Sequence, residues 1–431
     1  MRHLPIPSAA ASLLSIACVA TAGAQTPAEL TQGLALATRY RVAAVNNRRI
    51  KHDEFWKAIA PFASSAALRS EVVGRSMLGR EIRTVTFGHG PATVLLWSQM
   101  HGDESTATMA LADIFAFLAD SAPSPLRRRL DSALTIVFVP MLNPDGAEHW
   151  ERENAAGIDI NRDAVTLASP EARALKGLAD RLHPRWGFNL HDQSARMRSG
   201  PHGKQTAIAL LAPAIDTTGR YNDVRSRARL LAAGLVQALQ SEIGGHIARY
   251  DDSFYPRAFG DNMQRWGVST ILIESGAIAG DPDKQRLRSI NAAAILVALD
   301  AIATGRYAQA DPALYNALPQ NTGGASDVLI LGGSLVLPNQ PPMRADIAIN
   351  YQDPVARTGP RIRDVGQLNA SVGMDTVNAA GLFIFPTEAS LSNDPNGGKW
   401  LRVGAPAALE IRRGPDSTSE LVRRIEFPAA Q

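Results

Sequence analysis

An α/β fold followed by a small all-β domain is what this 431-residue sequence predicts, and three observations predict it. Four short apolar runs each end in chemistry-bearing polar residues. Apolar residues at helical spacing fill stretches between those runs. Beyond Asp327 the pattern changes to brief β-like runs broken by Gly, Pro and Asn.

Residues 25–67 read as helical and hold no obvious site. The run 92–97 (ATVLLW) reads as a buried strand leading into Ser98-Gln99-Met100-His101-Gly102-Asp103-Glu104. Residues 105–119 then place Leu111, Ile114, Phe115 and Leu118 at helical spacing. A second strand, 135–139 (TIVFV), runs into Asn143-Pro144-Asp145-Gly146; a third, from Trp186, ends at His191. The fourth, 269–273 (STILI), ends at Glu274-Ser275-Gly276, and an Ala-, Leu- and Ile-rich helix over 283–303 closes the pattern. Open α/β sheets build their sites beyond the carboxyl ends of their strands, so one shared site is the simplest reading.

The expected organisation is a signal peptide over 1–24, an α/β domain over 25–305, a linker over 306–326 and a β-rich accessory domain over 327–431. Asp311-Pro312, Leu318-Pro319 and Gly323-Gly324 mark the linker. The β-like runs of the last part lie at 328–331, 334–337, 346–350, 382–385 and 408–411. A stabilising appendage is the plainer reading of that part, and a cell-wall or partner-binding module the sharper one.

Composition excludes several classes. A hydrophobic content of 45% and a charged content of 20% describe an ordinary globular protein. Lys and Arg total 44 against 41 Asp and Glu, a net +3 with no concentrated polycation, so nothing points to nucleic acid. The Arg127-Arg128-Arg129 cluster reads as a solvated helix face. Arg2 and His3, the apolar stretch 9–22 and Ala22-Gly23-Ala24 form a secretory signal with maturation near Gln25, too short to be a stable membrane span. A periplasmic or secreted protein is therefore expected. Cys18 is the single cysteine, and Ser15-Ile16-Ala17 match a lipid-attachment box poorly, which makes a lipoprotein the lesser reading.

His101 and Glu104 at one strand end and His191 at another supply the donor set of a catalytic zinc site: two imidazoles, one carboxylate and an open fourth position. One Zn²⁺ per chain follows. Glu274 closes the run Ile271-Leu272-Ile273, and an unpartnered carboxylate is costly to bury, so a function is expected of it.

Gly74-Arg75-Ser76-Met77-Leu78-Gly79-Arg80-Glu81-Ile82, His101-Gly102-Asp103-Glu104, Asn143-Pro144-Asp145-Gly146, Gly157-Ile158-Asp159-Ile160-Asn161-Arg162, His191 and Glu274 occur in that order. Together they resemble the zinc carboxypeptidase family, the carboxypeptidase A-like metallopeptidases, whose type member holds zinc through two histidines and a glutamate. The resemblance implies an α/β/α sandwich with a mixed, largely parallel sheet. It implies that Glu274 serves as general base and then general acid. Asp159 would orient the first zinc histidine through a hydrogen bond. Asn161 and Arg162 would hold a peptide's terminal carboxylate, work that suits the planar arginine fork. Arg152 would stabilise the oxyanion, and Tyr250 and Tyr255 both fall near the place of the family's mobile tyrosine.

Asp192 stands where the digestive members have Ser, and Asp163 where many have Asn, which leaves substrate specificity open. The activity implied is that of an exported metallocarboxypeptidase acting on peptides, with cell-wall peptide one candidate substrate. The alternatives are an N-acyl amino acid deacylase of the aspartoacylase type, a peptidoglycan-stem peptidase, and an inactive sheet used for binding. Retention of Glu274 beside all three ligands argues against the last.

Overall fold

The computed structural model describes residues 27–393 and 398–426; the signal-peptide reading of 1–24 lies outside the described residues. Eight strands form the main sheet: β1 (Leu68–Arg75), β2 (Glu81–Phe87), β3 (Ala92–Ser98), β4 (Leu134–Val139), β5 (Trp186–Asp192), β6 (Ile208–Leu211), β7 (Ile247–Arg249) and β8 (Ser269–Ser275). Their order across the sheet is β1-β2-β4-β3-β5-β8-β6-β7. The central strands β4, β3, β5 and β8 are mutually parallel; β1 and β2 join antiparallel to their neighbours, and β6 joins β8 antiparallel but pairs with β7 in parallel. The sheet is therefore mixed and largely parallel at its centre, with the four predicted strand ends along one edge.

Both faces of the sheet are covered, and the period of two along each strand assigns the side chains to them. Val94 and Leu96 face one core, shared with Leu111 and Phe115 of the helix Thr106–Ala119 and with Ala292 and Ile295 of the helix Gln285–Thr304. Leu95 and Trp97 face the other, with Leu175 of Pro170–Leu182 and Met263 of Phe259–Arg265. Three layers, helix on sheet on helix, result. The helix Gln285–Thr304 is apolar and long enough to cross a bilayer, yet it lies buried in the first core. Its Arg288 is tied to Asp113 and to the Val42 carbonyl, a paired charge inside the protein.

A second sheet of seven strands follows, with its own core of Val328, Ile330, Ile347, Ile349, Ile384 and Leu409. Its first strand, β9 (Ser326–Leu335), joins the runs 328–331 and 334–337 that the sequence separates. Gly332, at φ 75°, makes the break a bulge within one strand, where the register against β10 (Met343–Asp353) shifts. β10 turns into β11 (Thr358–Gly366) through residues 354–357. The stretch read as a linker is packed on the first unit: Tyr315 is fully buried and accepts from the Ala212 N–H at 3.1 Å, and Asn321–Thr322 pairs with Arg198–Ser199.

Candidate active site

Two of the sequence signatures serve as scaffold for a third. The chain leaving β3 passes through Gln99 in the left-handed region (φ 49°) and turns so that the Glu104 N–H donates to the His101 carbonyl at 3.2 Å. Gly102 is required there, because a Cβ would lie 2.0 Å from the Gly146 carbonyl carbon. Asn143 caps the short helix Pro144–His149 and donates to the carbonyls of Arg152 and Glu153 at 3.3 and 3.1 Å, which fixes the loop bearing Arg152. Asp145 in turn is buried and accepts from Ser76 Oγ, the Leu78 N–H and Arg80 at 2.9, 2.9 and 2.6 Å. The Gly74–Ile82 segment and the Asn-Pro-Asp-Gly segment thus clamp each other and leave the reacting centre to other residues.

That centre lies at the edge of the sheet. His101, Glu104 and His191 are buried, and their donor atoms all fall within 4.8 Å of one another. Glu104 Oε1 faces His101 Nδ1 at 2.8 Å and Oε2 faces His191 Nδ1 at 2.7 Å. Zinc–donor distances of about 2.0–2.2 Å set donors roughly 3.4 Å apart around a tetrahedral ion. Three convergent donors of the right chemistry, with both Nδ1 atoms turned inward, fit that ion. Behind His101, Asp159 Oδ1 lies 3.0 Å from Nε2, so the outer nitrogen is occupied, while the inner one faces Glu104 with Arg152 Nη1 3.1 Å away. Behind His191 the hold is looser: the Asn161 amide nitrogen is 3.5 Å from Nε2.

Electrostatics agree with a cation here. Burial works against charge on Glu104 and Asp159, yet the two histidines hold Glu104 far below the glutamate range, and His101 with Arg152 does the same for Asp159. Burial likewise opposes charge on His101, but Glu104 and Asp159 raise its ring to about 9. Burial lowers His191. Arg152 reaches Asp159 Oδ2 through Nε and Nη2 at 3.2 and 2.9 Å and stands 3.3 Å from Glu104 Oε1.

A cavity of about 660 Å³ opens on this cluster, and every residue singled out from the sequence for direct contact with metal or substrate lines it. Glu274 arrives through strand pairing: β5 and β8 are parallel with His191 opposite Glu274, so both side chains leave the same face of the sheet on neighbouring strands. Burial first, then the Glu104 and Asp192 carboxylates, push Glu274 well above the usual glutamate range. Tyr250 is largely buried, and the nearby Glu274 charge, then burial, raise its phenol, which stays an O–H donor. Tyr255 is 45% exposed, donates to Asp251 Oδ2 at 3.2 Å and lies under the Arg162 guanidinium, 5.8 Å from ring centre to Cζ. Burial thus separates the two tyrosines that the sequence leaves equivalent. Asn161 is partly engaged by the scaffold, its Oδ1 accepting from the Phe259 N–H at 2.9 Å, and its carbonyl takes Arg162 Nη1 at 3.0 Å.

Sequence reasoning passed over several groups at this cavity. Asp192, noted only as a departure, is a buried partner of Lys284 at 2.9 Å and accepts from Thr106 Oγ1 at 2.6 Å. Asp261 faces the Arg162 end, accepts from the Tyr255 N–H at 2.9 Å, and is pushed up to about 6 by burial. Arg48, Trp150 and Val355 stand at the cavity as well. Asp261 had a readable signal, an acid inside the buried helix Phe259–Arg265, and Asp192 directly follows His191; Arg48, Trp150 and Val355 meet the site only through long-range packing.

The zinc carboxypeptidase family profile matches residues 55–270, half of the chain. A probable carboxypeptidase 2 of Arthroderma benhamiae is 31% identical over 108 residues, 25% of this chain and 20% of that protein. The chain therefore matches about a fifth of the length of these fungal relatives. Murein peptide amidase A of Escherichia coli is 28% identical over 185 residues, 35% of this chain and 71% of that protein. Among solved structures, a metallo-carboxypeptidase from Burkholderia cenocepacia aligns with a TM-score of 0.48 at 18% identity, over 59% of this chain and 70% of that one.

Proposed function

From the premise that the chain belongs to the zinc carboxypeptidase family, we propose that it is an exported zinc-dependent metallocarboxypeptidase that removes the C-terminal residue of peptides. The observation that carries the reading is the meeting of the His101, Glu104 and His191 donors with Glu274 and Arg162 around one cavity. Zinc, when bound by those three side chains, supplies a Lewis acid and a water acidified to a pKa near ~7. Glu274 takes the proton of the attacking water and returns it to the departing amine nitrogen, so a base in one half-reaction is the acid in the next. Its burial and its acidic neighbours favour the protonated form, the state from which it donates. Arg152, fixed by Asp159, presents its guanidinium to negative charge developing on the carbonyl oxygen. Tyr250 adds an O–H donor near Glu274.

At the other end Arg162, with Asn161, receives the terminal carboxylate through a charge-assisted fork. Export rests on the signal-like segment before Gln25 and places the enzyme in a periplasm or outside the cell. Likeness to a murein peptide amidase makes cell-wall peptide a substrate class worth testing first.

Amidating the substrate's C-terminus tests the reading. Leaving a guanidinium without its anionic partner costs roughly 2–5 kcal/mol, so kcat/KM falls by about 30-fold to several-thousand-fold. Arg162→Ala is slow on the free acid and discriminates little between acid and amide. Equal cleavage of both peptides by the wild-type protein moves the assignment to an endopeptidase or amidase. Turnover of N-acyl amino acids with none of peptides moves it to the deacylase.

A further inference from the structure

The C-terminal domain reaches the cavity at one place, the turn of residues 354–357 between β10 and β11, where Val355 forms part of the lining. The turn is held from within and from across the domain boundary. Asp353 Oδ1 accepts from the Val355 and Ala356 N–H groups at 3.1 and 3.0 Å, while Oδ2 is ion-paired with Arg48 and lies 3.7 Å from Arg49. Arg48 and Arg49 both lie over the Trp150 ring, 5.6 and 5.7 Å from its centre. Ser105, the residue after the ligand Glu104, donates to the Arg48 carbonyl. A second tether grips the segment after the ligand His191: Arg196 pairs with Asp327 at 2.7 Å and donates to the Tyr351 carbonyl of β10 at 2.6 Å. The domain is thus fastened directly behind two of the three donors, and it places an apolar side chain at the cavity between those fastenings.

Its position relative to Arg162 gives the turn a meaning. Arg162 hangs from Asn161, behind His191; Val355 hangs from Asp353, Arg48 and Ser105, behind Glu104. A peptide with its carboxylate at Arg162 and its scissile carbonyl at the donors leaves the rest of the lining, to which Val355 belongs, for the residues that precede the scissile bond. We propose that the 354–357 turn is a wall of the substrate cavity that limits how many residues precede the scissile bond, so that the C-terminal domain selects short peptides. The proposal rests on the carboxypeptidase reading above. A cavity of about 660 Å³ lies inside the roughly 300–1,000 Å³ range of pockets that enclose drug-sized molecules, a size suited to a short peptide.

The test uses free-acid peptides sharing their last two residues and lengthened one residue at a time at the N-terminus. Each is assayed with the zinc-loaded wild type, Val355→Gly and Val355→Trp, and each is titrated by calorimetry into the same three proteins carrying Glu274→Gln. In the wild type kcat/KM and affinity fall once the wall is reached, by roughly the 10- to 200-fold that shape-based discrimination achieves. Val355→Gly moves that fall to longer peptides and Val355→Trp moves it to shorter ones. A length profile unchanged by both substitutions overturns the wall and leaves the carboxypeptidase reading standing. Length-dependent binding that both substitutions shift, without hydrolysis, supports the wall and sinks the proposed activity. Peptides that neither bind nor react overturn both.

Discussion

Two pairs of carboxylates at this cavity and just behind it stand in opposite states. Glu104 and Asp159 are held below their ordinary range, and Glu274 and Asp261 above it. Burial is common to all four and always favours the neutral form. The difference is their company. Glu104 lies between two imidazoles and Asp159 between His101 and Arg152, so each keeps its charge. Glu274 has like charges among its nearest influences, and Asp261 feels Arg162 only weakly against its burial. One set of carboxylates is thus arranged to receive a cation and the other to hold a proton, a division of labour that hydrolysis by a metal centre requires, and Glu274 performs the second task directly beside His191.

Removing a ligand breaks the first half of that contrast and has the largest effect. His191→Ala leaves a nitrogen and a carboxylate, too few donors to hold the ion tightly. Elemental analysis finds one zinc per chain in the wild type and a small fraction of that in the variant, with peptide hydrolysis lost. Full zinc occupancy in His191→Ala removes this histidine from the ligand set. Glu274→Gln sharpens the contrast from the other side, since the amide copies the shape of the protonated acid but takes no proton. Zinc content and melting temperature stay at wild-type values while kcat drops by roughly 10²- to 10⁴-fold, the usual worth of a positioned acid–base group. Turnover near that of the wild type would assign the proton transfer to another residue.

What the sequence made legible follows the same division. The four central strands are short apolar runs with sharp polar ends, and each of the residues His101, Asn143, His191 and Glu274 is at or just beyond such an end. Local pattern was sufficient there because a parallel central sheet gathers strand ends by topology alone. The edge strand β1 was harder to read: most of Leu68–Arg75 is exposed, so its sequence, LRSEVVGR, lacks the alternation of a half-buried strand. Lys284 against Asp192 and Val355 at the cavity are invisible in sequence for a different reason. Their partners lie 92 residues away for Lys284 and, through the Arg48–Asp353 link, 305 residues away for the turn that carries Val355. The reading of the last part as an appendage had no access to that contact.

The smallest effect concerns Asp261, where the contrast can be read as stability against pH. Its folded pKa, about 6, stands above the usual aspartate value of 3.8 because burial penalises the charged form. Between those values the folded chain binds a proton that the unfolded chain has released, so stability falls as pH rises through the window and levels off above it. The difference between the two values corresponds to a loss on the order of 3 kcal/mol. Asp261→Asn removes this titration, and its amide oxygen keeps the bond from the Tyr255 N–H. The difference in melting temperature, variant minus wild type, should therefore grow between pH 4 and pH 7 and stay flat beyond. The zinc-loaded proteins are compared, so that ligand protonation is shared by both chains and cancels. A difference that is constant across the window would mean that Asp261 ionises freely, and that the cavity floor near Arg162 is as well supplied with positive partners as the metal end.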